Sequence, residues 1–166
     1  GDWDTGAVRN MLSMFSRATS FNHPIGGWET QGVESFENMF GGATSFNQNI
    51  GSWTINATSG YIDTNYNSVF EGVKLCIENY DSIVIGWALQ LEHEGIFEDS
   101  YFNGGLSKYS DASLEARNLI TIKGFIIVDG GLDVDGSNAC DVVLFLEDES
   151  NAKLLSFYPN PTTENI

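Results

Sequence analysis

The chain has 166 residues, with 7 Lys and Arg against 23 Asp and Glu and a formal net charge of −16. Such a surface repels phosphate backbones and anionic lipid, which argues against nucleic acid as a partner. Hydrophobic residues make up 42% of the chain, enough for a packed core, yet no apolar run approaches the ~20 residues that a spanning helix needs.

In chain order, the first signal is a repeat. The sequence opens at Gly1 and closes on "PNPTTENI", and it is expected to be a piece of a longer protein. Trp3, Trp28 and Trp53 recur every 25 residues, and "ATSFNHPIGGW" is followed one period later by "ATSFNQNIGSW". Residues 3–27 and 28–52 agree at 12 of 25 positions, where unrelated segments would agree at about one or two. The recurring residues include Trp3, Val8, Met14, Phe15, Phe21, Asn22 and Ile25, matched by Trp28, Val33, Met39, Phe40, Phe46, Asn47 and Ile50. Self-similarity at this period predicts an α/β solenoid of short helix and strand coils. Val8, Met11, Met14, Phe15 and Ala18 fall on one face of a short helix, as do Val33, Phe36, Met39, Phe40 and Ala43. Phe21, Ile25 and Trp28 are expected to supply a second apolar wall on a short strand and turn. Asn22 and Asn47 are placed to bond backbone groups of the adjacent coil. These aromatics and methionines are expected in the core. The alternative, a row of sugar-binding tryptophans, would need all three to face solvent.

A third coil starts at Trp53 with five residues inserted, because Phe70 lies 17 positions after it, where Phe40 lies 12 after Trp28. Beyond it, "IENYDSIVIGWALQLE" predicts an amphipathic helix with Tyr80, Ile83, Val84, Trp87, Ala88 and Leu91 on one side. Loop signals follow through "HEGIFEDSYFNGGLSKYS". A second helix is predicted at "DASLEARNLITIK", with Asp111 as N-cap and Glu115 in its first turn, then a strand at "GFIIVDGG". The chain divides into repeats (1–70), a C-terminal cap (71–131), an acidic linker (132–152) and a tail (153–166).

Chemistry-bearing motifs are few. His23 and His93 have no second ligand at fixed spacing, and no nucleophile motif or phosphate loop occurs, so neither an enzyme nor a metal or cofactor is expected. Asp133, Asp135 and Gly136 look like part of a calcium loop. Setting that glycine in register puts Gly131 and Val142 where oxygen-bearing side chains are required, which leaves an acidic linker. Cys76 and Cys140 can pair in an oxidising compartment or stay as two thiols. Asn56 heads a glycosylation sequon that is common by chance.

The segments "VESFENMF", "ATSFNQNIGSW", "FEGVKLCIENYDSIVIGWA" and "FNGGLSKYSDASLEARNLITIKGFIIVDGG" together resemble the BspA-like leucine-rich-repeat surface proteins, over residues 1–131. The chain departs from them in the inserted third repeat and in Ser110, where such caps often carry a cysteine. The resemblance implies a leucine-rich-repeat-like solenoid and adhesion to proteins or cell-surface ligands, without enzymatic activity. The tail "KLLSFYPNPTTENI" is similar to the start of a C-terminal sorting domain of the type IX secretion system of Bacteroidota, with Tyr158, Pro159, Asn160 and Pro161 as its signature. This second resemblance implies export by that machinery to the outer membrane or beyond. The alternative is an accessory or spacer module of a larger secreted enzyme.

Overall fold

The structure, a computed structural model, describes residues 3–55, 68–93 and 100–140. The expected leucine-rich-repeat-like solenoid of helix and strand coils does not form. Among the described residues, helix and strand occur only from Ile77 onward: α1 (Ile77–Leu91), β1 (Ser100–Asn103), α2 (Leu114–Ile122) and β2 (Phe125–Val128). The sheet is one parallel pair, with Ser100 opposite Phe125 and Asn103 opposite Val128. The sorting signature Tyr158–Pro161 and the sequon at Asn56 lie outside the described residues.

The predicted helices at 8–18 and 33–43 are runs of tight turns. The reason lies in where their N–H groups go. Met11, Ser13, Phe15 and Arg17 donate to the carbonyls of Ser35, Glu37, Met39 and Gly41 at 2.7–2.9 Å, so these donors are lost to any i−4 ladder. The alternate residues close local turns, Met14 onto Met11 and Ser16 onto Ser13. Ser13, Arg17 and Asn38 take positive φ, which no α-helix accepts. Apolar positions at i, i+3 and i+7 therefore face one way in a turn run as they would in a helix. The two 25-residue segments lie side by side, joined by this ladder.

α1 forms where the periodicity predicts it, burying Tyr80, Ile83, Val84, Trp87, Ala88 and Leu91. Its first turn is capped by distant groups, since Cys76 provides no side-chain cap. Cys76 N donates to Asn47 Oδ1 at 2.9 Å, and Ile77 N donates to the Asn138 carbonyl at 2.7 Å. α2 follows a short 3₁₀ turn at Asp111–Ser113. The cap there is Ser110 rather than the predicted Asp111: Ser110 Oγ accepts from Ala112 N at 3.1 Å. β1 lies inside the stretch with loop signals, and the crossover through α2 brings β2 beside it.

Residues 132–140, expected as linker, are bound to this body. Asn138 is 1% exposed and donates to the Leu75 carbonyl at 2.8 Å, and Cys76 and Cys140 form a disulfide.

The second segment meets α1 at two glycines. A Cβ on Gly86 would stand 2.2 Å from the Gly51 carbonyl oxygen, and one on Gly51 would stand 2.2 Å from that of Ser82. Gly86→Ala raises helix propensity by about 1 kcal/mol. The clash, about 2–3 kcal/mol when backbone must move, outweighs it. Gly86→Ala is therefore expected to lower the urea midpoint, and a raised midpoint would refute the close contact.

Candidate functional site

The recurring residues build stacked columns. Trp3, Trp28 and Trp53 pile at 5.6 and 6.0 Å between ring centroids, and Phe15, Phe40 and Phe70 at 5.8 Å each. Phe21 and Phe46 stack at 6.0 Å. Asn22 Oδ1 accepts from Asn47 N at 2.8 Å, and Asn47 Oδ1 in turn accepts from Cys76 N and Asn79 Nδ2. Thr5 Oγ1 accepts from Glu29 N, and Thr30 Oγ1 from Thr54 N.

Burial rises along these columns. Ile25, Val33, Met39, Phe40, Phe46, Ile50 and Trp53 are buried, and Val8, Phe15, Phe21 and Trp28 are partly buried. Trp3 is 59% exposed, Leu12 51% and Met14 40%. Asn22 is exposed and Asn47 intermediate. Among the described residues of these columns, exposure is greatest in the first segment.

The directions of the first segment's backbone groups follow from peptide geometry. A trans peptide sets its N–H and C=O on opposite sides, and the chain has no cis bond. Because Met11, Ser13, Phe15 and Arg17 point their N–H groups at the second segment, the carbonyls of Asn10, Leu12, Met14 and Ser16 point outward. Among the described residues, no hydrogen bond reaches these four oxygens. Neither arginine of this segment fills the gap. Arg9 Nη1 bonds the Gly32 carbonyl at 3.2 Å, and the Arg17 stem lies 3.5 Å from where a Cβ on Gly42 would sit.

Trp53 Nε1 donates to the Ile25 carbonyl at 3.1 Å, while Trp28 Nε1 is buried and has no partner among the described residues. Trp53→Phe removes a buried hydrogen bond, and Trp28→Phe removes an unsatisfied donor. Trp53→Phe is expected to destabilise by about 1 kcal/mol more than Trp28→Phe, read from paired urea curves. Equal losses would show that the Trp53 bond contributes nothing.

The remaining polar clusters are structural. Asp129 accepts from Tyr80 Oη at 2.9 Å, Arg117 Nε at 3.0 Å and Gly131 N at 3.0 Å, and the guanidinium lies 4.7 Å from the Tyr109 ring centroid. Burial, then the adjacent Asp129 carboxylate, pushes the Tyr80 hydroxyl well above its usual pKa. The unfolded chain releases that proton near pH 10 and the folded chain does not. Stability is full below that pH and falls above it. Tyr80→Phe is expected to flatten this alkaline limb, and an unchanged slope in alkaline urea titrations would exclude Tyr80 as its source.

Asp81 accepts from Ser110 N and from the hydroxyls of Ser110 and Ser113, tying α1 to the start of α2. In the calcium-like stretch, Lys108 Nζ contacts Asp133 Oδ1 at 3.4 Å, Asp135 Oδ1 at 3.3 Å and Ser137 Oγ at 2.8 Å, so an ammonium sits among the acids. Hydrogen bonds from the Ser137 hydroxyl and backbone, helped by Lys108, hold Asp135 well below the usual carboxylate range. Cys76, Glu78 and Cys140 lie close together, but both sulfurs are used in the disulfide and offer no thiolate. His23 and His93 are exposed.

Residues 1–82 match the family model described as "Mycoplasma protein of unknown function, DUF285". The matched stretch holds both 25-residue segments and the first turns of α1, and stops short of the parallel strands. No curated protein and no solved structure matches the chain. No helix among the described residues is long and apolar enough to cross a membrane.

Proposed function

We propose that this chain is a non-enzymatic, secreted or cell-surface protein that binds other proteins through the surface of its stacked segments. The observation that supports the reading is that the recurring residues are used in stacking, Trp3, Trp28 and Trp53 in one column and Phe15, Phe40 and Phe70 in another, so the positions that do not recur are left for contacts. The Cys76–Cys140 disulfide supports an oxidising compartment. Export through a sorting signal at Tyr158–Pro161 belongs to the same reading.

Beads coated with the chain are expected to adhere to cultured cells or to films of extracellular matrix proteins. No adhesion to either surface would sink the reading.

A further inference from the structure

The clasp between the start of α1 and residues 132–140 gathers three metal-ligating groups. Among the described residues, one ligand atom each from Cys76, Glu78 and Cys140 lies within 4.8 Å of the other two. While the disulfide stands, the sulfurs are engaged with each other. We infer that the reduced chain binds a zinc ion between Cys76 Sγ, Cys140 Sγ and the Glu78 carboxylate, so that one clasp closes either by a covalent bond or by a metal ion.

A dithiol reductant breaks the S–S bond by exchange and leaves as its own disulfide, while Cys76 and Cys140 each gain a hydrogen and become thiols. A divalent cation then displaces both protons, because the thiolate is the ligating form. Tetrahedral zinc, with Zn–S bonds of about 2.3 Å, sets two sulfurs about 3.8 Å apart. The Cα atoms of the pair are 4.7 Å apart, which lets both side chains turn to one ion. Hydrogen bonds hold the two backbones together independently of the sulfurs. Ile77 N donates to the Asn138 carbonyl at 2.7 Å, and Asn138 Nδ2 donates to the Leu75 carbonyl at 2.8 Å. Cys140 N donates to Glu78 Oε2 at 3.0 Å, which brings the third ligand to the pair. Two thiolates and a carboxylate around a dication stay anionic overall, and they stand at the positive end of the 15-residue α1. Thiolate donors select zinc over calcium and magnesium, which take oxygen ligands. Cys76 is buried, Cys140 half-buried and Glu78 exposed, so the ion enters from the carboxylate side and water completes its shell.

The test uses the full chain reduced by a phosphine, with cobalt(II) as the optical probe. The expected result is a thiolate-to-cobalt charge-transfer band that saturates at one equivalent and disappears when zinc displaces the cobalt. The oxidised chain should show no band, and Cys76→Ser or Cys140→Ser should abolish it. Glu78→Gln keeps an acceptor for Cys140 N and is expected to weaken cobalt binding about tenfold. No band in the reduced chain overturns the inference, and so does equal affinity in Glu78→Gln. A second measurement covers a reduced chain that loosens. Zinc is expected to raise the urea midpoint of the reduced chain and to leave that of Cys76→Ser/Cys140→Ser unchanged. An equal rise in both proteins, or a rise in neither, overturns the inference.

Discussion

Replacing Cys76 and Cys140 together by serine is expected to lower stability by about 4 kcal/mol, the loop-closure value for a link of this length. The two residues are 64 apart, so the bond closes a loop holding α1, β1, α2 and β2. It also fixes residues 132–140 against the first turn of α1, where Asn138 and Glu78 make the other ties. Those hydrogen bonds remain in the variant and can hold the tail on their own only if its ordering entropy is small. Urea unfolding of the oxidised protein and of the double serine variant measures the difference. A loss under about 1 kcal/mol would mean that the hydrogen bonds suffice and that the unfolded chain gains little from the missing link.

Phe40→Ala is expected to cost about 4 kcal/mol. Phe40 is 0% exposed and stands where two columns meet, stacking on Phe15, Phe46 and Phe70 and tilting against Trp53. Removing it leaves a cavity bounded by aromatic rings on several sides, which side chains fixed by their own stacking cannot easily fill. Phe15→Ala, one period earlier, opens a partly buried site to water, and about half the loss is expected there. Equal losses at Phe15 and Phe40 would contradict the gradient of burial along the columns.

The 25-residue period was legible as a register. It foretold which side chains would stack and that Asn22 and Asn47 would bond the neighbouring segment. It could not fix the conformation of each unit. Val8, Met11, Phe15 and Ala18 present one face in a turn run as well as in a helix, and the choice is made by N–H groups bonding 24 residues away. α1 and α2 were readable because their periodicity is local. β1 was not, since "SYFN" is a strand only by virtue of Phe125–Val128 beside it. Residues 132–140 looked like an acidic linker because the groups that hold them, Cys76, Leu75 and Lys108, lie far away in sequence.

The ladder between the two segments also has an electrical direction. Each peptide group carries a dipole of about 3.5 D, and the four whose N–H groups run from Met11, Ser13, Phe15 and Arg17 to the second segment share one orientation instead of cancelling along the strand as sheet dipoles mostly do. Each segment added to such a ladder lines its peptide groups up with the last, so the seam strengthens electrostatically along the stack.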